Sequence, residues 1–242
     1  MAGEVAMRTS VIFVRFGLRT MEDDALAFLV RSTWSKQWGL RVVDNIGNPE
    51  TLVKLWDRVA REEAAGGAEV VCFLNSDCWV GEGWDDECVK VLADPRVAVC
   101  GPQCNMGPQT AAPEVPVPLV VPQGWPDWVG VNRAAAFCRR TWSGQFRESE
   151  VYGHCYAVRV DALRKADWLA PEIAGQYTFY GAEQSLSRRL REAGYVTGTA
   201  MGAFCFHAGE VSGRAAQARG EFDLEAERAK GRRLFFGNEV SP

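Results

Sequence analysis

Short apolar runs alternate with helix-length amphipathic segments through the first hundred residues. The clearest run spans residues 70–74, which are all apolar, and it ends in Asn75, Ser76 and Asp77. A continuous run with β-branched and aromatic content predicts a strand buried on both faces. The same kind of pattern predicts further strands in this part of the chain at residues 10–16, 40–45 and 97–100.

Helices are predicted between these strands, over about residues 21–34, 50–65 and 84–92. The second has apolar residues at spacings of three and four, and Gly66 and Gly67 follow its end. The alternation of strands and helices predicts an α/β fold with a mostly parallel sheet flanked by helices and right-handed crossovers. Since open α/β folds bind ligands at the carboxyl ends of their strands, residues 75–77 become candidates for a binding site.

The middle of the chain has a different character. Seven of the eleven prolines fall between residues 101 and 126, a density that central strands and helices do not tolerate. We therefore predict a long excursion over residues 101–150. Its tryptophans, Trp125, Trp128 and Trp142, form either a surface for stacking against sugars or a small core of the excursion itself.

Regular structure is expected again after the excursion. The pattern predicts a strand over residues 151–160. Within it, a hydrogen-bonded interior histidine is favoured for His154 over a ligand, because no partner ligand is evident. A short helix over 162–168, a helix over 185–193, a last strand within 195–206 and a helical segment over 223–235 follow.

Composition and charge narrow the classes of partner. The chain has 27 basic and 31 acidic residues, a formal net charge of −4 and a pI of about 5.4, so broad attraction to nucleic acid or anionic lipid is not indicated. No apolar run approaches the roughly 20 residues of a membrane span, and residues 1–10 lack the apolar region of a secretory signal. A cytoplasmic protein without a membrane span is expected.

The eight cysteines do not form a metal-binding spacing. There is no CxxC pair. Two closely spaced pairs exist, Cys100 with Cys104 and Cys205 with His207, but no second ligand pair accompanies either of them to complete a zinc motif. The simpler interpretation is buried free thiols.

Polar residues with candidate chemistry lie at four predicted strand ends or helix starts: Asp44 with Asn45, residues 75–77, Glu183, and His207. Carboxylates and histidine are the groups that divalent-cation binding and acid–base catalysis require. Each alone has a structural explanation, as a turn former, a first-turn helix acid or a loop residue.

Taken together, these segments resemble the inverting family 2 glycosyltransferases of the GT-A fold. The resemblance covers roughly residues 10–210. It is carried by residues 11–14 (VIFV), 42–45 (VVDN), 72–77 (CFLNSD), 99–105 (VCGPQCN), 180–195 (YGAEQSLSRRLREAGY) and 206–207 (FH). It implies one GT-A domain over residues 1–242, made of a nucleotide-binding half (10–100), the excursion (101–150), an acceptor and catalytic half (151–210) and a helical tail (211–242).

The resemblance also implies roles for individual residues. Glu183 would be the general base, and Asp77 and His207 would hold Mn²⁺ or Mg²⁺. The nucleotide sugar would be bound by Arg15, Asp44, Asn45, Asn75, Ser76 and Asp77. Trp125 and Trp128 would contact the acceptor. The donor would be a UDP-, GDP- or dTDP-sugar, and the acceptor a saccharide, a lipid-linked sugar, a protein or a modified nucleobase.

The sequence departs from the family pattern at the metal motif and in the block around Glu183, where Gln184 and Ser185 also replace more typical residues. Asn75 replaces the usual first acid of the metal motif, and Ala182-Glu183 replaces the usual Glu-Asp pair. The tryptophan motif of processive members is not evident, which favours a single-transfer enzyme. Two alternatives stay open. The first is another nucleotide-sugar enzyme such as a nucleotidyltransferase, although residues 15–19 are a poor match to the glycine-rich phosphate loop of such enzymes. The second is a non-catalytic sugar- or partner-binding domain on a degenerate transferase fold.

Overall fold

The computed structural model describes residues 7–34, 38–46, 51–107, 109–118, 125–169, 181–209, 211–221 and 223–236. Within these residues the strands are β1 Thr9–Arg15, β2 Trp38–Asp44, β3 Val70–Asn75, β4 Cys78–Val80, β5 Val97–Cys104, β6 Phe146–Glu148, β7 Cys155–Arg159 and β8 Val196–His207. The helices are α1 Arg19–Ser32, α2 Leu52–Ala65, α3 Trp84–Leu92, α4 Trp128–Trp142, α5 Val160–Lys165, α6 Ala182–Glu192, α7 Val211–Ala218 and α8 Leu224–Phe236. Among these helices, none is long and apolar enough to cross a membrane.

The strands form one sheet in the order β2-β1-β3-β7-β5-β8-β4, with β6 paired to β8. The pairs β1–β2, β1–β3 and β5–β8 are parallel. Strand β7 lies between β3 and β5 and is antiparallel to both. The predicted α/β architecture with a central sheet is confirmed, but the expectation of a mostly parallel sheet is corrected to a mixed one. Strand β7 follows the long excursion, so no short right-handed crossover fixes its direction.

Two apolar cores pack against the sheet, one on each face. The side chains of Val70 to Leu74 are at most 1% exposed, which confirms that β3 is buried on both faces. Helix α2 is capped by Thr51, whose side chain accepts a hydrogen bond from the Lys54 amide, and the helix buries Leu55 and Trp56. These core residues place the carboxyl end of β3 beside the ends of its neighbours.

The excursion contains more regular structure than predicted. Helix α4 begins after Asp127, whose carboxylate accepts a 2.7 Å hydrogen bond from the Gly130 amide. It buries Val131, Ala134 and Cys138 in the core. The proline-rich stretch ends at Pro126, and no proline follows until residue 171, so nothing prevents a helix there. The proline density governs only the first half of the excursion.

The smaller elements shift by a few residues from their predicted bounds. Helix α5 begins at Val160, two residues earlier than predicted, and has Asp161 in its first turn. Helix α6 begins at Ala182, three residues earlier than predicted. Several predictions fall partly outside the described residues, which leave out residues 1–6, Pro108 and Pro122 of the proline-rich stretch, and Tyr180 of the family-like block.

Candidate active site

The turn between β3 and β4 places Asp77 beside His207. Strand β4 pairs antiparallel with β8, and Cys78 lies opposite His207 in that register. The Asp77 Oδ1 and His207 Nε2 atoms are consequently 3.2 Å apart, and Asp77 is 1% exposed. Two residues that are 130 positions apart in sequence therefore present an oxygen and a nitrogen to the same point.

Asn105 holds the backbone of His207 from the neighbouring strand. Its side-chain oxygen accepts a 2.7 Å hydrogen bond from the His207 amide, and its side-chain nitrogen donates a 3.0 Å bond to the His207 carbonyl. This amide-to-amide pairing fixes the end of β8. Asn105 could not be assigned this role from its place in a family-like segment, because the pairing depends on the parallel register of β5 and β8.

His154 stacks on His207 and forms part of the same wall. The two rings are 4.8 Å apart with 16° between their planes. His154 is buried, as predicted, but its Nε2 atom is buried without a hydrogen-bond partner among the described residues. Burial lowers the pKa of His154, whereas the neighbouring Cys104 and Cys155 thiols and Asp77 raise it by more.

Glu183 lies in the first turn of α6 and packs against the backbone of Gly153. Helix α6 begins after Gly181, whose φ of 101° is a conformation that only glycine adopts readily. A Cβ at position 153 would be 3.0 Å from the carboxyl carbon of Glu183, so a glycine there permits the close approach. Burial raises the pKa of the Glu183 carboxyl, although hydrogen bonds from the Glu183 and Gly153 backbone oppose the rise. This side chain is therefore a stronger base than an ordinary glutamate.

These groups line one cavity of about 440 Å³. Its described lining comprises Phe16, Leu52, Trp56, Asn75, Asp77, Met106, Gly107, Tyr152, Gly153, His154, Glu183, His207, Ala208, Gly209, Gly213, Arg214 and Leu224. Most of the wall is apolar, and the polar groups are few, as is typical of small-molecule sites. Among the described lining residues, Asp77 and Glu183 are the only carboxylates, and Arg214 of α7 is the only lysine or arginine.

The donor atoms at one side of the cavity fit a hard divalent cation. Asp77 supplies a carboxylate oxygen and His207 a ring nitrogen. The Asn75 Oδ1 atom is buried and has no hydrogen-bond partner in the described part of the chain, so the same cavity lining also offers an amide oxygen. Oxygen ligands with one imidazole suit Mn²⁺ or Mg²⁺.

Four of the predicted donor-binding residues lie outside the cavity lining. Arg15 pairs with Asp23 at 2.7 Å. Asp44 is exposed at the end of β2, and Asn45 donates its amide to the Arg15 carbonyl at 3.0 Å. Ser76 is fully buried and donates a 3.3 Å hydrogen bond to Glu22. Nucleotide binding by these four residues stays a prediction.

The two tryptophans predicted to contact the acceptor pack against the protein core. The ring of Trp125 stacks on Trp79 at 6.5 Å, and that of Trp128 meets the edge of Phe28 at 4.7 Å. Neither belongs to the described cavity lining. Their partners lie outside the excursion, so these two rings join the main core and do not form a separate core of the excursion. Acceptor binding by Trp125 and Trp128 stays a prediction.

Comparison with solved structures identifies the fold. No protein-family model and no curated protein matches the chain by sequence. The structure of GalNAc-T7 with UDP, GalNAc and Mn²⁺ aligns with a TM-score of 0.57 and 15% identity over 84% of this chain and 44% of that one. The chain has a GT-A fold.

A second solved structure supports the same architecture. The mannosyltransferase PcManGT from Pyrobaculum calidifontis, in complex with GDP-Man and Mn²⁺, aligns with a TM-score of 0.53 and 15% identity. The alignment covers 98% of this chain and 66% of the mannosyltransferase. The chain thus spans less than half of the first structure and about two thirds of the second.

Proposed function

We propose that this protein is a metal-dependent glycosyltransferase of the inverting family 2 type. It would move one sugar from a nucleoside-diphosphate donor to an acceptor hydroxyl. The observation that carries the proposal is the convergence of a 3.2 Å Asp77–His207 pair and a buried Glu183 on one cavity. The two GT-A structures that resemble this chain were solved with UDP or GDP-Man and with Mn²⁺, which supports the same class of ligand.

The donor half of the reaction would use the metal-binding side of the cavity. Asp77, His207 and Asn75 would hold Mn²⁺ or Mg²⁺. When bound, the ion would neutralise the negative charge that develops on the departing diphosphate. Arg214 contributes a second positive charge on the wall formed by α7.

The acceptor half would use Glu183. In a single displacement, the acceptor oxygen forms a bond to the anomeric carbon while the bond from that carbon to the diphosphate oxygen breaks. The nucleoside diphosphate leaves with the electron pair of the broken bond, and Glu183 takes the acceptor proton. Asp77 is already paired with His207, so Glu183 is the carboxylate among the described lining residues that can serve as base. One base without a second nucleophile suits an inverting reaction.

Truncation of the cationic side chain in the wall should weaken donor binding. We expect Arg214→Ala to raise the donor KM about fivefold to tenfold with little change in kcat, because a charge-assisted contact to phosphate is lost at an exposed position. The difference from the wild-type enzyme should shrink as salt is added. Arg219→Ala is the matched control, since Arg219 lies just beyond the end of the same helix and pairs with Glu221 outside the cavity lining. Equal donor KM values for Arg214→Ala and wild type would remove Arg214 from the site.

A methyl group at position 153 should disturb the catalytic carboxylate. Gly153→Ala places a Cβ 3.0 Å from the Glu183 carboxyl carbon, so the carboxylate must move by a few tenths of an ångström. We expect kcat to fall about tenfold while donor affinity stays unchanged, because catalysis is sensitive to small displacements of the base. Gly39→Ala is the control, since a Cβ there meets nothing within 4 Å. Unchanged kcat in Gly153→Ala would show that the position of Glu183 is not critical.

The function is tested by donor hydrolysis and binding. UDP-, GDP- and dTDP-sugars should be incubated with the protein with and without Mn²⁺, and release of the nucleoside diphosphate measured. The proposal expects Mn²⁺-dependent release from at least one donor. The competing function is a binding domain without catalysis, favoured by the single carboxylate in the metal motif. That function predicts a higher melting temperature with a sugar nucleotide but no turnover.

A further inference from the structure

A cluster of buried sulfur ligands adjoins the cavity and shares His154 with its lining. Three thiol sulfurs, from Cys78, Cys155 and Cys205, are all within 4.8 Å of one another. A second trio, formed by the sulfurs of Cys104 and Cys205 and one ring nitrogen of His154, meets the same limit. Cys205 belongs to both trios, so five ligand-type side chains surround one small region.

The fold brings these side chains together from four strands. Cys78 begins β4, Cys104 ends β5, Cys155 begins β7 and Cys205 lies near the end of β8. Cys104 and Cys205 are register partners across the parallel β5–β8 pair. Sequence spacing shows no zinc motif because the four cysteines come from four different strands.

The cluster has the chemistry of a soft-metal site. All four sulfurs are fully buried, and His154 is 4% exposed. The buried His154 Nε2 atom has no hydrogen-bond partner among the described residues, and such an atom costs free energy unless something binds it. Two sulfurs bound to one zinc at about 2.3 Å lie about 3.8 Å apart in a tetrahedron, within the 4.8 Å limit that both trios meet.

We propose that Cys205, with ligands from both trios, binds one tetrahedral, thiolate-preferring metal ion, most simply Zn²⁺. Thiolate and imidazole ligands select zinc over Mn²⁺ and Mg²⁺, which need oxygen ligands. This site is therefore distinct from the Asp77–His207 site. It would cross-link β4, β5, β7 and β8 next to the cavity wall, where His154 stacks on His207, and so stabilise that wall without taking part in transfer. The proposal does not rest on the glycosyltransferase function.

Metal analysis of the full-length protein tests the site. Protein expressed with zinc in the medium and freed of loosely bound metal should retain about one zinc ion per chain, as measured by inductively coupled plasma mass spectrometry. Cobalt-substituted protein should show the sulfur-to-metal charge-transfer absorption and the strong visible bands of tetrahedral thiolate coordination. Wild-type protein that retains no zinc, and whose melting temperature does not respond to zinc or to a chelator, would overturn the proposal.

Three variants locate the metal. Cys205→Ala should reduce bound zinc to near zero, because both trios lose their common ligand. Cys88→Ala removes an equally buried thiol that belongs to neither trio, and it should keep the full zinc content. Asp77→Ala should also keep the zinc while losing Mn²⁺ dependence, which separates this site from the proposed catalytic one. Full zinc content in Cys205→Ala would overturn the proposal, as would equal loss in Cys88→Ala.

If Cys205→Ala does not fold, X-ray absorption on the wild-type protein decides, since sulfur neighbours at about 2.3 Å are expected.

Discussion

The Glu183→Gln enzyme is expected to bind its donor normally but to transfer sugar about 100 to 10,000 times more slowly, the usual contribution of a general base. Glutamine keeps the size of the side chain and cannot accept the acceptor proton. Steady-state kcat and donor affinity, measured together, check this prediction. Retained turnover in Glu183→Gln would show that the base lies elsewhere.

The same variant has a second expected signature in pH. Burial raises the pKa of Glu183, so the acidic limb of the wild-type kcat/KM profile should fall above the ordinary glutamate value, and the limb should be absent in Glu183→Gln. A raised folded pKa means that the stability associated with the protonated form is present at low pH and lost as pH rises through that pKa. Glu183→Gln should therefore melt no lower than wild type at neutral pH, and its advantage should shrink on acidification. A clear loss of stability at neutral pH would indicate a structural role.

Asp77→Ala is expected to lower kcat about 100- to 1,000-fold and to abolish the response to Mn²⁺, because the only carboxylate on the metal side of the described cavity is lost. The fold should survive, since Asp77 lies in a turn at the cavity wall and its carbonyl still accepts the Ala208 amide. Activity against Mn²⁺ concentration is the measurement.

A second variant, two residues before Asp77 in the sequence, adds a carboxylate instead of removing one. Asn75→Asp introduces a second carboxylate where the Asn75 oxygen is buried without a hydrogen-bond partner among the described residues. We expect it to lower the Mn²⁺ concentration needed for half-maximal activity. If the activity of both variants depended on Mn²⁺ concentration as the wild-type activity does, the metal site would not be at the β3–β4 turn.

Some of the site could be predicted from the sequence because it depends on local pattern. The unbroken apolar run of β3 predicted its burial, and the polar end predicted Asp77 at a strand end. The family-like block singled out Glu183, and the structure places this acid in the first turn of a helix that begins three residues earlier than predicted. These features need only neighbouring residues in the sequence.

Other parts depend on how distant strands pair. The insertion of β7 between β3 and β5 brings Gly153 against Glu183 and His154 against His207, and no local pattern encodes that order. Four cysteines from four strands look unrelated in sequence for the same reason. The aromatic content of the excursion alone did not distinguish a surface for stacking against sugars from core packing at Trp125 and Trp128.

The central claim is that the cavity between Asp77, His207 and Glu183 binds a nucleoside diphosphate through a divalent cation. Calorimetric titration of UDP, GDP and dTDP into wild-type protein and Asp77→Ala, each with and without Mn²⁺, tests it directly. The account predicts that at least one of these binds wild type much more tightly with Mn²⁺, and that Asp77→Ala loses this gain. The claim would be contradicted if the affinity for these nucleotides changed neither with Mn²⁺ nor in Asp77→Ala, or if none of UDP, GDP and dTDP bound.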